Sequence, residues 1–348
     1  MRHEAPADGR EFALLQRSAG NRAVTGLVQR QVEAPPALLS PGQAALAVSF
    51  YRGKPDLYPP DVITKIQNAV KSTPTGVADT EMVQGVARFQ ETSVLKVDGM
   101  AGPRTLPRLF ESGLATETDR KQFVTSGKGV AAAWATLATP EARADKLFEG
   151  VKALLDAEQV FTPGHEVGDL GKAAGVFESR PWRMRFDRAA LSTPTIDDDA
   201  ARDLSGTVYH EARHAEQFHK MARMLATKGF KAEQIQAKMR IPIEVAQDAF
   251  NNKLPRGIEF ATASQQFDSV FGAGAAHHEQ AEREAPSAAE LQAAQADVAA
   301  DPSNQAKQRK LAKLTAQFKA YHDLPTENDA FATETDFEAS WDEATAAP

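Results

Sequence analysis

Two histidines and one glutamate, His210, Glu211 and His214, lie together in the stretch TVYHEARHAEQ. The segment 207–227 contains neither proline nor glycine, so we predict a helix there. Positions four apart on a helix are separated by about 40° around its axis, so both imidazoles can reach one metal ion. The carboxylate beside them can hold a water molecule and act as a general base. The pattern HExxH therefore predicts a hydrolytic metal centre of the zincin type.

The chain contains no cysteine, which leaves histidine and carboxylate as the good zinc ligands. A catalytic zinc site needs a third protein ligand, and His219 is excluded because it lies on the opposite side of the predicted helix. Gln217 and Lys220 stand where the metzincin subclass has glycine and histidine, so that subclass is excluded as well. The alternative to a metal site is an ordinary helix whose histidines are held by hydrogen bonds alone.

Several later segments offer a third ligand. Glu327 lies in the first turn of a helix that is predicted to begin at Pro325, where acidic residues are favoured. Glu244 has a similar setting, but its apolar neighbours indicate a packed segment whose glutamate faces water. A further alternative follows a glycine-rich stretch and consists of His277, His278 and Glu279.

Three residues near Glu327 have possible supporting roles. Tyr321 and His322 are candidates for stabilising an oxyanion, and Asp329 is a candidate for holding a histidine ligand in place.

The composition is that of a soluble chain with more than one domain: 348 residues, 42% hydrophobic and 25% charged. The net charge of -7 arises from interspersed acids and bases, which argues against a nucleic-acid partner. There is no apolar run long enough to cross a membrane and no secretory signal at the start, so we expect cytoplasmic synthesis without a signal peptide.

Periodicity divides the chain into four parts. We predict a flexible segment with a proline-rich linker (1–45), a three-helix domain (46–115), a helical connector (116–164) and an α-rich domain with a small sheet (165–348). In the last part, Trp182, Met184 and Phe186 alternate with polar residues as in a strand. The predicted fold class is mainly α.

The three-helix part resembles a known family. The motif VARFQ, followed by LKVDGMAGPRTLPRL, is similar to the peptidoglycan-binding-like domain, which implies affinity for cell-wall glycopeptide. We interpret Phe89, Asp98, Gly99 and Gly102 as core and turn residues of this domain.

The stretch LLQRSAGNRAVTGLVQRQ resembles the amino-terminal segment of cargo proteins of bacterial extracellular contractile injection systems. This resemblance implies loading into a phage-tail-like particle, with export as injection-system cargo.

Three stretches, YHEARHAEQFHKMARMLA, MRIPIEVAQDAF and YHDLPTENDAF, resemble a group of bacterial HExxH metallopeptidase domains of polymorphic toxins and injection-system cargo. The resemblance implies Zn²⁺ held by His210, His214 and Glu327, Glu211 as the base, and hydrolysis of peptide bonds in protein or peptidoglycan. The alternatives are a non-catalytic wall-binding protein and a structural component of the particle.

Overall fold

A computed structural model describes residues 39–171 and 173–346, and it confirms a mainly helical fold with one small sheet. In these residues no helix combines the length and the apolar character that a membrane crossing requires. The segment that resembles cargo proteins lies outside them. The helices in chain order are α1 (Pro41–Arg52), α2 (Pro60–Ala69), α3 (Thr80–Thr92), α4 (Thr105–Leu109), α5 (Glu117–Ala133), α6 (Pro140–Ala157), α7 (Arg188–Leu191), α8 (Asp198–Thr227), α9 (Ala232–Met239), α10 (Ile243–Asn251), α11 (Ile258–Val270), α12 (Ala275–Glu284), α13 (Ala288–Ala300), α14 (Gln305–His322) and α15 (Pro325–Ala346).

The first four helices form one four-helix unit (residues 39–110) with its own apolar core. Helix α1 was not anticipated, because it begins at Pro41 inside the stretch that was expected to be linker. Ser40 caps this helix through a reciprocal pair of hydrogen bonds with Gln43. Leu39 and Ala44 are buried in the same core as the helices that the sequence predicted. Burial of these residues orders the segment despite its prolines.

A turn in the four-helix unit is organised by the buried side chain of Gln90. Its Oε1 accepts the backbone N–H groups of Asp98 (2.9 Å) and Gly99 (2.8 Å). Gly99 has φ +70°, and a Cβ there would lie 2.6 Å from Leu39 Cδ1. Only glycine fits this turn without strain. Asp98 and Gly99 are therefore turn residues.

The sheet contains three strands in the order β1-β3-β2: β1 (Gly164–Gly168), β2 (Gly175–Glu178) and β3 (Arg183–Asp187). Strand β3 pairs parallel with β1 and antiparallel with β2. Met184 and Phe186 are fully buried, and so is Trp182 just before the strand, as the alternating pattern predicts. The sheet packs on helix α8 through β2, whose outer edge faces the candidate metal centre.

Helix α8 is longer than the sequence indicated. It begins at Asp198 and is capped by the Asp197 side chain, so Gly206 lies inside it and does not precede it. Nearly every residue from Ala201 to Ala226 is buried, because the helix runs through the centre of the large core. A glycine inside a helix costs about 1 kcal/mol relative to alanine, which burial on this scale readily exceeds.

The carboxyl-terminal helices pack around α8. Helix α15 begins at Pro325, as predicted, and lies along α8 for much of its length. Helices α13 and α14 form a helical hairpin whose second arm begins at Gln305 with Asn304 as the cap. The Asn304 side chain fixes this start, because it accepts the free N–H groups of Ala306 and Lys307 in the first turn.

Candidate metal centre

Three side chains that could hold a metal ion converge where α8 meets α15. His210 and His214 come from α8, and Glu327 comes from the first turn of α15. One ligand atom from each lies within 4.8 Å of the other two. Among the residues that the structure describes, this is the group whose spacing suits a metal ion. The chain thus brings together the two histidines of the HExxH motif and the glutamate that the family resemblance implies as the third ligand.

Hydrogen bonds at the far side of each ring determine how the two imidazoles are protonated. His210 Nδ1 lies 3.0 Å from Glu334 Oε2, and His214 Nδ1 lies 2.9 Å from Gln217 Oε1. The Gln217 amide can point only this way, because its Nε2 donates to the Thr326 carbonyl and to Asp329. Both Nδ1 atoms therefore carry a proton and donate it.

The two Nε2 atoms lie 3.0 Å apart as a consequence. In neutral rings with Nδ1 protonated, both Nε2 atoms are acceptors, and two acceptors at this distance need a shared cation or proton. A tetrahedral zinc ion would place its nitrogen and oxygen ligands about 3.3 Å apart. His214 Nε2 to Glu327 Oε1 is 3.4 Å, and His210 Nε2 to Glu327 Oε2 is 3.8 Å. The donor set and its spacing therefore fit zinc.

Glu327 supplies the negative charge of the site. Its Oε2 accepts a hydrogen bond of 2.6 Å from the Tyr321 hydroxyl. Burial would raise the pKa of Glu327, but the charges and contacts of His214 and His210 hold it well below its usual value. Burial likewise would lower the pKa of His210, yet Glu327 and Glu334 outweigh burial and raise it to about 10. The surroundings favour a positive charge between these groups.

Glu211 lies beside the cluster but outside it. Its Oε2 accepts the backbone N–H of Phe177 in β2 at 2.7 Å. Its Oε1 is buried and has no hydrogen-bond partner among the described residues. Burial raises the pKa of Glu211 to about 7, against the lowering effect of the two histidines. A carboxylate with a pKa near 7 and one free oxygen is suited to proton transfer at neutral pH.

A buried polar network holds His214 through its Nδ1 atom, which points away from the metal cluster. Gln217, which orients this histidine, donates to Asp329 Oδ2 at 2.7 Å. Arg213 also binds Asp329, through Nε at 2.9 Å and Nη2 at 3.2 Å, and it binds Glu216 at 2.7 Å. Asp329 therefore acts on His214 through Gln217.

The rival ligands lie away from the cluster. His219 faces Asp248 at 3.0 Å on the other side of α8, and Glu244 is exposed at the start of α10. His278 pairs with Glu282 on helix α12, which follows the glycine-rich stretch. None of these three residues belongs to the group of ligand atoms found among the described residues.

The two candidates for oxyanion stabilisation have different surroundings. The Tyr321 hydroxyl is engaged with Glu327. His322 stacks on Phe331 with ring centroids 4.7 Å apart, and its Nε2 is buried without a hydrogen bond among the described residues.

Sequence reasoning did not identify Glu334 as the partner of His210. One signal was available, because Glu334 lies seven residues after Glu327 and two helical turns place both on one face. The Phe177 amide, which binds Glu211, could not have been found, because a backbone group carries no signature of its own in the sequence.

The centre is closed to solvent. His210, Glu211 and His214 are fully buried, and Glu327 is 1% exposed. Strand β2 contacts Glu211 through the Phe177 amide, and a small apolar cluster contacts His210 and Glu327 through Phe331 and Tyr321. This cluster consists of Val176, Ala281, Tyr321, Leu324 and Phe331.

Comparison with known proteins adds one assignment. Residues 65–109 match the family described as a putative peptidoglycan binding domain. This segment spans α2 to α4 of the four-helix unit except for the first residues of α2. No curated protein and no solved structure matches the chain. The chain thus contains a domain of the peptidoglycan-binding type, which supports binding to the cell wall.

Proposed function

We propose that this protein is a zinc-dependent peptidase that acts on peptide bonds in peptidoglycan or in protein. The observation that supports this most strongly is the 3.0 Å approach of two Nε2 acceptors beside a buried carboxylate. Glu211 lies next to this site on the same helix. Two histidines, one carboxylate and an adjacent glutamate are the set that hydrolytic zinc sites use.

The residues around the site have separate roles in this reaction. Bound zinc would supply Lewis acidity towards the scissile carbonyl and a nucleophile at neutral pH. Glu211 would take a proton at its free Oε1 from the water that attacks the scissile carbonyl, and would pass it to the amine as the C–N bond breaks. Glu334 and Gln217 hold the Nδ1 protons of the two histidines, which keeps both Nε2 lone pairs directed into the site. The Phe177 amide fixes the other oxygen of Glu211.

The substrate class rests on the four-helix unit. A domain of the peptidoglycan-binding type would bring the metal centre to cell-wall glycopeptide, whose peptide cross-links are within the reach of this chemistry. Protein substrates use the same bond and the same residues. Cross-linked peptidoglycan and an unstructured protein are therefore the two substrates to compare.

The experiment combines metal content with hydrolysis. The wild type and the variants Glu211→Gln, His210→Ala and Glu244→Gln are purified, their zinc content is measured, and release of new amino groups from both substrates is followed. Glu211→Gln should retain zinc and lose hydrolysis by at least about a hundredfold, in line with removal of a general base. His210→Ala should lose zinc. Glu244→Gln, an exposed glutamate, is the matched control and should behave as the wild type.

A second candidate function is a non-catalytic wall-binding protein in which the metal only stabilises the fold. The burial of the site favours this candidate, because the side chains of His210, Glu211, His214 and Glu327 are at most 1% exposed to solvent. Under this alternative, His210→Ala lowers the melting temperature, and peptidoglycan sedimentation is retained. Neither substrate is hydrolysed by the wild type, so the same variants separate the two candidates.

We further propose that the protein is cargo of a contractile injection particle. The support is the resemblance of LLQRSAGNRAVTGLVQRQ to loading segments of such cargo. If this holds, residues 1–45 fused to a small reporter should direct the reporter into purified particles. A scrambled segment of the same composition should leave it outside. Retention of the full chain in stoichiometric amounts within the sheath or tube would instead favour a structural component.

A further inference from the structure

The four-helix unit is joined to the rest of the chain by an apolar contact. Ala261 of α11 is fully buried in the core of the unit. Beside it, Gln265 Nε2 donates to the Tyr58 hydroxyl at 2.9 Å, and this hydroxyl donates to the Ala101 carbonyl at 2.6 Å. A core that takes in a residue from α11 cannot swing freely on a linker. The unit therefore has a fixed position relative to α8 and α15.

Two arginines of the unit contact the segment that carries Glu327, one in the turn before α15 and one within α15. Arg104 Nη1 lies 3.2 Å from Asp323 Oδ1, and Arg108 Nη1 lies 3.1 Å from Asp336 Oδ2. Asp323 precedes Glu327 by four residues, and Asp336 follows it by nine. The two ion pairs therefore hold the chain on both sides of the third ligand, in the turn that precedes α15 and within α15 itself. Both arginines belong to the segment that matches the peptidoglycan-binding family.

The chain that leaves the unit also contacts α8. In this exit segment (Ser112–Ala115), the Ser112 carbonyl accepts from Arg213 at 2.9 Å, and the Leu114 N–H donates to Glu216 at 3.2 Å. The Leu114 carbonyl accepts from the Tyr209 hydroxyl. Arg213 continues through Asp329 and Gln217 to His214. A continuous series of polar contacts thus joins the exit segment to a metal ligand.

We infer that the four-helix unit is a positioning element of the metal centre. Arg104 and Arg108 are positioning residues that set the place of Glu327, through the turn before α15 and through α15, and the exit segment sets His214 through Arg213. The inference rests on the proposed function in that it takes Glu327 as the third ligand. It goes beyond that function, because it gives a wall-binding type of domain a part in metal binding.

The solvent exposure of the two ion pairs limits how much they can contribute to stability and to zinc binding. The arginine side chains are 29% and 32% exposed, and their aspartates 36% and 34%, so each ion pair by itself contributes little to stability. Arg120 also faces Asp336 at 3.9 Å and would keep that carboxylate paired. We therefore expect a change in ligand placement with little loss of folding. Zinc binding should weaken about threefold to tenfold in a double variant, less than for a direct partner of a ligand.

The test measures metal binding in the full chain. The variants are R104A/R108A, the conservative R104K/R108K, and R88A, which changes an exposed arginine of the same unit. Zinc affinity is measured by competition with a chromophoric chelator, and ligand geometry by the visible absorption of the Co²⁺ form. The double alanine variant should show weaker zinc binding and an altered Co²⁺ spectrum. The lysine variant should recover most of the loss, and R88A should match the wild type.

The outcomes separate this inference from the proposed function. If the wild type binds no zinc, the proposed function fails, and the inference fails with it. If the wild type binds zinc and R104A/R108A gives the same affinity and Co²⁺ spectrum as R88A, the inference alone is overturned. If circular dichroism shows that R104A/R108A does not fold, R104A, R108A and the lysine pair carry the comparison. Identical affinities across those variants would overturn the inference equally.

Discussion

The Nε2 atoms of His210 and His214 lie 3.0 Å apart, while Glu334 and Gln217 occupy the opposite side of each ring. Because Glu334 and Gln217 accept the Nδ1 protons, the two Nε2 atoms face one another as acceptors and need a proton or a metal ion between them. The geometry therefore supports a cation at this point.

Removal of the amide behind His214 should weaken the site. In Gln217→Leu the ring loses the acceptor for its Nδ1 proton and is free to turn, so zinc affinity should fall about tenfold to a hundredfold. The exposed Gln247 on α10 provides the control Gln247→Leu. The measurement is chelator competition at constant pH. Equal affinities for the two variants would show that Gln217 does not position the ligand.

Substitution by alanine should have opposite effects on stability at two glycines, Gly113 and Gly129. Gly113 has φ +60°, and a Cβ there would collide with the Glu216 carboxylate, so Gly113→Ala should destabilise the fold by more than about 1 kcal/mol. Gly129 lies exposed within α5 with open space around it, so Gly129→Ala should stabilise by about 0.5–1 kcal/mol. Urea unfolding of both variants checks the signs. A neutral Gly113→Ala would mean that the exit segment is held less tightly than its contacts indicate.

Much of the candidate site could be predicted because its sequence signals involve residues that are close together in the chain. The HExxH spacing and the proline that starts α15 are signals within one or two helical turns, and they point to His210 and His214 and make Glu327 one candidate for the third ligand. Glu334 and the Phe177 amide depend on how α15 and β2 pack against α8. That packing involves residues 34 to 124 positions apart, which no local pattern encodes.

The same contrast between local signals and tertiary packing explains where the predicted fold differs from the observed one. Gly206 resembles a helix boundary by propensity, yet α8 continues through it because the helix is buried along its length. Helix α1 lies in a proline-rich stretch that resembles linker, yet Leu39 and Ala44 complete the core of the four-helix unit. In both cases tertiary burial outweighs a local preference.

Because the imidazole of His219 is buried, we expect the free energy of unfolding to decrease in acid. Burial lowers its pKa below the ordinary 6.5, against the opposing effect of Asp248. The folded state therefore binds fewer protons than the unfolded state near this pH, and stability is lost as pH falls below about 6.5. His219→Gln can retain a donor to Asp248 but does not titrate. Its unfolding free energy should therefore change less between pH 7.5 and pH 5.5 than that of the wild type.

The exposed His277 gives the matched control for this pH series. His277→Gln should follow the wild type at both pH values, because its side chain lies in water in the folded protein. Urea unfolding at each pH supplies the free energies. A wild-type pH dependence as shallow as that of His219→Gln would contradict the assignment of a neutral buried imidazole.

The contact between β2 and α8 offers a way to open the closed site. A Cβ on Gly175 would lie 2.9 Å from Thr207 Cγ2 and 3.6 Å from Glu211 Cγ, so Gly175→Ala should push β2 away from the helix. Overpacking of this kind costs about 1–3 kcal/mol. Thr207→Ser removes the obstructing methyl group, so the double variant should recover most of the lost stability. The displaced strand should also let a chelator remove zinc faster from Gly175→Ala than from the double variant. Urea unfolding and chelator kinetics on the four proteins of this cycle measure both effects, and simple additivity of the two substitutions would show that the predicted contact is absent.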